Sequence, residues 1–515
     1  MDELLVALAG NPALPPVLVD RLIGLADEEL ASALADRPAL TPAQVRELAA
    51  RSEPAAIRLA HDGRLSADDW AEPAGAADWA TVALALLDAG RGRPEWARRL
   101  AADPDSAVRQ ELAACPDLPR DVRERLAADP DPEVTAELAW RTTDPDLLAR
   151  LARHRHADVR AMVAANRAAS PELLAGLVAL DPPPEACLVC DREPIPFLHD
   201  PHCPRTDCTL PPGAACAGGH ESAIHSLRYQ AVDNPATPIS SLVSLADNES
   251  AILRWTLAGR PDLPPEVAVR LAGDPIPGVR HDLAGNPGLP AELIRRLAGD
   301  PDPEVRRRLA HNSNVPLDVL AELARKTRIG PTPLPRIEAA TEAEVRALAA
   351  GAGPELRMLV ATRRDLPDDV RDALAGDPDA KVVAAVAGHP GLSPELLAGM
   401  VGTHGKRVSS AVATNPDAPA DLLLDLARSV PRVPRTLRAV AQHPNATAAV
   451  LEHCLAAGPG EGDGRARAAA AGHPALPPAR VAELVGDPDP TVAESAAGNP
   501  ALPLTEMVRL IDAAR

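Results

Sequence analysis

Aromatic side chains are scarce in this chain: its 515 residues include five Trp, one Tyr and one Phe. A large conventional core needs more bulky side chains than this, so small aliphatic residues must do most of the packing. Thin layers of short helices suit that composition. The 57 prolines indicate the same, because proline breaks the interior of a helix and any helices must be short and often restarted.

Positive charge is also in deficit, with 53 Lys and Arg against 73 Asp and Glu and a formal net charge of -20. A protein that acts on nucleic acid needs clustered cations, so nucleic acid is disfavoured as a partner. No apolar run reaches the roughly 18 to 20 residues that cross a bilayer, so we expect no membrane association. The acidic start, MDELL, does not resemble a signal peptide, and we expect a cytoplasmic protein.

Short phrases recur along the chain at a nearly constant interval. The segment GRPDLPPEVAVRLAGDPIPGVRHDLA from Gly259 returns as GNPGLPAELIRRLAGDPDPEVRRRLA from Gly285, 26 residues later. We count about 18 such units, seven before a gap and eleven after it. The residue before the first proline of a unit, or at the same place in the period, is called the anchor below, and the anchors Asp62, Gly90 and Ile337 rest mostly on spacing. The anchors are Asn11, Arg37, Asp62, Gly90, Cys115, Arg141, Asn166, Asn234, Arg260, Asn286, Asn312, Ile337, Arg363, His389, Asn415, His443, His473 and Asn499.

Each unit has the pattern of two short helices. The phrase LPPEVAVRLAG opens with proline, carries an early Glu and stops at Gly, and its Val267 and Leu271 form one apolar stripe. The phrase DPDPEVRRRLA begins with Asp as a helix cap and buries Val305 and Leu309 on one face. Helices this short are marginal alone, so the stripes must be buried between neighbouring units. The sequence therefore predicts an all-α solenoid.

The repeated phrases LA-x-(D/N)-P-x-LP and DPDPEVR-x-x-LA resemble the leucine-rich repeat variant family. The resemblance implies a right-handed superhelix of two-helix repeats, similar to armadillo and HEAT arrays, in which α-helices alternate with short or 3-10 helices. It also implies a cysteine-rich module that carries a [4Fe-4S] cluster. In that family the module precedes the repeats, whereas here the cysteines follow seven of them. We expect repeat arrays at 1–180 and 227–515, with about seven and eleven repeats, and a metal-binding module at 181–226.

Five of the seven cysteines lie between residues 187 and 216. Clustered thiols in a reducing compartment indicate a metal site rather than disulfides, and a Cys-x-x-Cys pair with a second pair across a loop supplies four ligands. We predict Cys187, Cys190, Cys203 and Cys208 as the ligands. The alternates are Cys216, His202, His199 and His220. We expect Cys115 and Cys454, which lie outside the cluster, to be packing residues.

Spacing does not separate the two metals that four cysteines suit, zinc and iron in an iron–sulfur cluster. The family resemblance favours the [4Fe-4S] cluster, with zinc as the alternative. A module of this size buries little apolar surface, so the metal would supply its folding energy.

One arginine recurs at the same place in the second helix of successive units. Arg228, Arg254, Arg280 and Arg306 are spaced 26 residues apart. In a stack of repeats they would form a ladder, which has two interpretations. In the structural interpretation, each Arg pairs with an Asp of the neighbouring Asp-Pro turn. In the functional interpretation, the ladder is a basic stripe that binds an acidic peptide or a nucleic-acid backbone.

The sequence carries no nucleophile elbow and no dinucleotide-binding fingerprint, so we expect no enzymatic activity. The function predicted is a scaffold that binds a protein partner, with a structural or redox-responsive metal centre. One alternative is an iron–sulfur protein of redox or electron transfer. A minor alternative is nucleic-acid binding along the arginine ladder.

Overall fold

The computed structural model describes residues 2–70, 79–180, 221–351, 353–456 and 464–514. They form two compact units, of which one comprises Met1–Leu59 with Ala324–Arg515 and the other Ala60–Leu323. We call them the terminal unit and the central unit.

The described residues contain helices and no strands. In chain order the first helices are α1 (Asp2–Ala9), α2 (Pro16–Leu25), α3 (Glu28–Ala35), α4 (Pro42–Arg51), α5 (Glu53–His61), α6 (Trp79–Asp88), α7 (Pro94–Leu100), α8 (Ser106–Ala114), α9 (Arg120–Leu126), α10 (Pro132–Arg141), α11 (Pro145–Leu151), α12 (Ala157–Ala165) and α13 (Pro171–Ala179). Those that follow are α14 (Glu221–Asp233), α15 (Ile239–Leu242), α16 (Ala251–Ala258), α17 (Pro265–Leu271), α18 (Pro277–Ala284), α19 (Ala291–Leu297), α20 (Pro303–Ala310), α21 (Leu317–Lys326), α22 (Pro335–Glu338), α23 (Glu342–Ala349) and α24 (Pro354–Ala361). The last are α25 (Asp368–Ala375), α26 (Ala380–Val386), α27 (Pro394–His404), α28 (Ser409–Val412), α29 (Ala420–Arg428), α30 (Pro434–Ala441), α31 (Ala448–Leu455), α32 (Gly464–Ala471), α33 (Pro478–Leu484), α34 (Pro490–Ala497) and α35 (Leu504–Ala513).

The predicted all-α repeat fold is confirmed. The short helices are α-helical in most repeats, and 3-10 helices occur in the described residues at Val243–Asp247 and Gly405–Arg407. None of the described helices is long and apolar enough to span a membrane.

Local chemistry explains where the helices begin. Helix α17 starts with Pro265 in its first turn, where a missing N–H costs nothing. Helix α20 starts after Asp302, whose carboxylate accepts a hydrogen bond of 2.8 Å from the N–H of Glu304. Such helices have seven or eight residues, so their stability comes from burying Val267, Leu271 and their equivalents against neighbours.

The second helix of each repeat packs on the second helix of the next. In the central unit this row runs in the order α6, α8, α10, α12, α14, α16, α18 and α20. In the terminal unit the row runs in the order α24, α26, α28, α30, α32, α34, α1 and α3. The row of the terminal unit therefore passes from the last repeat of the chain to the first.

Most of the Asn, Arg and His anchors join their repeat to the one before it. The buried side-chain amide of Asn286 donates hydrogen bonds of 2.9 and 2.6 Å to the carbonyls of Ala258 and Arg260. Its own oxygen accepts the N–H of Gly288 at 2.8 Å. At Arg260 the anchor is a guanidinium that reaches the corresponding carbonyl of Asn234 at 2.6 Å. Since buried polar groups must be paired, the anchor fixes the step between repeats.

The repeats on either side of residues 181–220 stack directly. The amide of Asn234 donates to the carbonyls of Ala164 and Asn166 at 2.8 and 2.9 Å, just as Asn286, two repeats further along, donates to those of Ala258 and Arg260. Helix α14 packs on α12 and begins at Glu221, inside the segment predicted as the metal module. The row is therefore continuous here, and the cysteine-rich segment is an insertion into it.

Candidate functional site

The predicted metal ligands lie outside the described residues. They are Cys187, Cys190, Cys203 and Cys208, with the alternates Cys216, His199, His202 and His220. The metal site therefore stays a prediction. Within the part of the chain that the structure describes, no group of three or more His, Cys, Asp or Glu is placed to hold a metal ion.

The two cysteines outside the cluster are buried thiols. Cys115 is an anchor and contacts the carbonyl of Leu84 at 3.8 Å. Burial, together with the nearby carboxylates of Asp88 and Glu111, raises the pKa of Cys115 to about 12. Cys454 is fully buried in α31. Neither thiol is available as a nucleophile at neutral pH.

Two members of the arginine ladder form buried ion pairs. Arg254 donates from Nε to Asp274 at 2.6 Å, and Arg280 donates to Asp300 at 2.7 Å. A second nitrogen of each completes a two-point contact with the same carboxylate. Each guanidinium also donates to a main-chain carbonyl of its own preceding turn, which is that of Asn248 for Arg254. This is the geometry that the structural interpretation of the ladder describes.

The electrostatics of these pairs favour the charged forms. Burial acts to raise the pKa of Asp274, but hydrogen bonds from Arg254 and from the N–H of Ile276 outweigh it, and the pKa lies below its ordinary value. The hydrogen bond to Asp274 raises the pKa of Arg254. The side chains of Arg254 and Asp274 are 13% and 5% exposed, which leaves little of either for a ligand.

The ends of the ladder differ from its middle. The acidic partner lies 20 residues after the arginine, but Asn248 holds that place for Arg228 and Lys326 holds it for Arg306. Arg306 keeps the main-chain contact with the carbonyl of Pro301 at 3.1 Å. Among the residues that the structure describes, the buried Nε of Arg228 has no hydrogen-bond partner.

Exposed large apolar side chains are concentrated in a short part of the central unit. Nine are exposed among the described residues, and five of them lie between residues 229 and 276. These five are Tyr229, Ile252, Trp255, Val269 and Ile276. Large apolar side chains that are exposed so near one another in the chain are candidates for a contact with a partner.

Three of these side chains line one groove. Tyr229 on α14 and Ile252 and Trp255 on α16 border a cavity of about 800 Å³ that is open to solvent. Their exposed fractions are 38%, 53% and 41%. We call this the aromatic groove. Tyr229 and Trp255 occupy equivalent positions of successive repeats, 26 residues apart.

A glycine of the next helix accommodates the indole of Trp255. Gly278 on α18 stands where the following repeat has Glu304, and a Cβ at Gly278 would lie 3.0 Å from the Trp255 ring. The same repeat has Ile276 where the following one has Asp302. This repeat therefore lacks two acidic side chains that the following repeat carries.

The polar lining of the aromatic groove is acidic. It contains Asp233, Asp262 and Asp282 against the single cation Arg260. Arg260 is 6% exposed and is held by Asp262 at 2.9 Å and by the carbonyl of Thr237 at 2.9 Å. The hydrogen bond from Arg260 holds the pKa of Asp262 below its ordinary value, so this carboxylate is ionised at neutral pH.

The terminal unit has a smaller cavity, of about 410 Å³, between residues 324–331, α24 and α26. Its lining includes Arg328, Lys381, Glu355 and Asp379. The charges balance, so this cavity favours no particular class of ligand.

Sequence reasoning found the anchors as positions but missed their role, and it missed the aromatic groove. The signal for the anchors was available, because Asn, Arg or His recurs where an apolar residue would suit a core. The signal for the groove was weaker. It consisted of the 26-residue spacing of Tyr229 and Trp255, and of Gly278 at the position where the following repeat has Glu304.

No protein-family model matches the chain, and a search of the curated proteins gives no match. Solved structures that align with the chain include a leucine-rich repeat variant described as having a novel repetitive structural motif. It is 20% identical, covers 53% of this chain and 87% of its own, and has a TM-score of 0.30. An engineered protein is 15% identical over 96% of this chain and 99% of its own, with a TM-score of 0.16.

Kap121p, in a crystal structure with Ste12p, is 10% identical over 99% of this chain, with a TM-score of 0.24. This chain spans 51% of the length of that protein. Nothing about function follows from similarities of this size.

Proposed function

We propose that the protein is a non-enzymatic helical-repeat scaffold that binds a protein partner, and that the aromatic groove is the contact. The observation that carries the proposal is the exposure of Tyr229, Ile252 and Trp255 along one open groove. Tyr and Trp are the residues most often found at the energetic centre of a protein–protein interface. They are also residues that this chain otherwise uses sparingly.

The rigidity of the groove supports the proposal. Helices α14, α16 and α18 are consecutive members of one row, and buried anchors fix the steps between them. A partner would therefore meet a preformed surface, and little conformational entropy would be lost on binding.

We also propose that the cysteine-rich insertion holds a metal centre, structural or redox-responsive. The support is the donor set, because thiolates suit zinc and iron–sulfur clusters and the spacing of Cys187 and Cys190 lets both reach one metal. The residues of the chain would bind the metal and set its access to solvent.

The test of the scaffold proposal compares three full-length proteins as baits in an extract of the source cells. They are the wild type, a groove variant with Tyr229→Ser, Ile252→Ser and Trp255→Ser, and a control variant with Val17→Ser, Trp140→Ser and Leu504→Ser. The control removes three exposed apolar side chains outside the groove. Because all six are exposed, circular dichroism should show the same helix content in each protein.

We expect at least one protein to be recovered with the wild type and the control variant and to be depleted about tenfold with the groove variant. The purified protein should then bind the wild type and not the groove variant. Equal recovery by all three baits would contradict the proposal.

A further inference from the structure

We propose that the aromatic groove receives a partner segment that carries Arg or Lys side chains. The inference rests on the proposed function and specifies the chemistry of the partner. It follows from the aromatic rings, from the charge of the lining, and from the Arg–Trp contacts that the chain makes at three of its four other tryptophans.

An Arg of the chain lies over a Trp ring at three other sites. The guanidinium carbon of Arg99 is 3.6 Å from the centroid of Trp79, and that of Arg141 is 4.1 Å from the centroid of Trp140. Arg93 approaches Trp96 in the same way at 5.5 Å. Within the described residues, no cation of the chain lies over the exposed ring of Trp255. A cation from another molecule can take that place.

The carboxylates of the groove add a second attraction for a cation. Asp233 is exposed at the end of α14, and Asp282 lies on α18 beyond Trp255. Asp262 is paired with Arg260, but that guanidinium also donates to three main-chain carbonyls of the preceding repeat, those of Val232, Asn234 and Thr237. With three carboxylates and one buried guanidinium, the lining keeps an excess of negative charge. An excess of this sign attracts basic segments and repels acidic ones.

The insertion of the chain itself fits this groove poorly. Residues 181–220 carry six Asp and Glu against two Arg, so their net charge has the same sign as the lining. A second copy of the chain also has a large excess of acidic residues. Charge therefore favours a different, basic partner over both.

The test uses fluorescein-labelled peptides on the full-length protein, with fluorescence anisotropy as the readout. The basic probe is GRLGRLGRLG-NH2 with fluorescein coupled to its N-terminal amine, and Glu replaces each Arg in the acidic probe. We expect the basic peptide to bind about tenfold more tightly or better, and its affinity to fall as salt is raised. No binding of the basic probe, or equal binding of both probes, would overturn the proposal.

Variants locate the binding. Trp255→Ser and the pair Asp233→Asn with Asp282→Asn should each weaken binding of the basic peptide about tenfold. Gly278→Ala should weaken it too, because the added Cβ pushes the Trp255 ring away without removing an aromatic or a charge. The control pair Asp247→Asn with Asp318→Asn changes the net charge equally, at exposed sites outside the groove. The same loss in the control pair would overturn the proposal.

A photoreactive p-benzoylphenylalanine at position 252 identifies what occupies the groove in cell extract. A crosslink to a segment containing Arg or Lys supports the proposal. A crosslink to residues 181–220, to a second copy or to an acidic segment overturns it. If the groove variant loses its partner but that partner crosslinks through an acidic segment, the scaffold function stands and the charge inference fails.

Discussion

The side-chain amide of Asn11 donates a hydrogen bond of 2.7 Å to the main-chain carbonyl of Asn499. It donates a second, of 3.0 Å, to the carbonyl of Ala497. Asn499 makes the same pair of contacts with Ala471 and His473 in the repeat before it. The first repeat of the chain therefore occupies the position that a further C-terminal repeat would take. We call this step the seam.

An ordinary anchor should contribute measurably to stability. Asn286→Ala leaves the buried carbonyls of Ala258 and Arg260 without their donor, and we expect a loss of about 2 kcal/mol in the free energy of unfolding. Asn314→Ala is the matched control, since the side chain of Asn314 is exposed and donates a hydrogen bond to the carbonyl of Pro287. Urea denaturation measures both. Equal effects would contradict the role given to the anchor.

The seam should behave as an internal step. Asn11→Ala removes two hydrogen bonds between buried partners, so its effect should match that of Asn286→Ala, about 2 kcal/mol in the unfolding of the terminal unit. Hydrogen exchange of the α1 and α34 amides would show the loss directly. If Asn11→Ala left exchange at α34 unchanged, the seam would be absent in solution.

The buried ion pairs should make stability sensitive to acid. Asp274→Ala leaves the guanidinium of Arg254 buried and unpaired, at a cost of about 3 kcal/mol at neutral pH. The pKa of Asp274 is below its ordinary 3.8 in the folded state, so its contribution is full above that value and is lost as the pH falls through the folded pKa. The difference in Tm between wild type and variant should therefore shrink below about pH 4.

An exposed pair provides the comparison for this result. Arg295 and Asp318 lie 2.7 Å apart with side chains 55% and 63% exposed. Asp318→Ala should change Tm little, because solvent screens such pairs. A Tm difference for Asp274→Ala that persisted unchanged at pH 3 would show that the ion pair is not its cause.

The cysteines should divide into two classes when native protein is alkylated with iodoacetamide. Cys115 and Cys454 should stay unmodified until the chain unfolds, because both thiols are buried away from the reagent and burial raises the pKa of Cys115 to about 12. Cys187, Cys190, Cys203 and Cys208 should be protected by metal and become reactive after chelation. Mass spectrometry of proteolytic peptides measures the modification of each cysteine. Full modification of the four before chelation would contradict the metal prediction.

Metal and acid-labile sulfide analysis of protein purified without oxygen distinguishes the two metal centres. About four iron and four sulfide per chain would indicate the [4Fe-4S] cluster, and about one zinc would indicate a zinc site. Removing either should leave the helix content of residues 221–323 unchanged, since the contact of Asn234 with Asn166 does not pass through the insertion. A large loss of helix on chelation would show that the metal supports the row.

The repeat fold was predictable because each unit carries its own local signals, from the Asp-Pro caps to the apolar pairs such as Val305 and Leu309. The pairing of Arg254 with Asp274 could also be predicted, because both residue types recur at fixed positions of the repeat. The seam was not, because a linear pattern of repeats does not indicate whether its two ends meet. Residues 181–220 break the pattern, and their sequence alone does not show that Asn234 stacks on Asn166.

The aromatic groove could not be predicted for a different reason. Exposure of Trp255 depends on what neighbouring helices place beside it, and Gly278 acts through the absence of a side chain. Hydrophobic periodicity assigns such a Trp to the core as readily as to the surface.

The seam also has a consequence for how the chain folds. An ordinary anchor contact closes a loop of 26 residues, whereas the contact of Asn11 with Asn499 closes one of 488. The longer loop costs about 2–3 kcal/mol more in chain entropy, so this step should form last. Until it does, the faces of α1 and α34 are both uncovered, and a neighbouring molecule offers the same two faces. Refolding at high concentration should therefore yield chains joined end to end, and dilution should favour the monomer.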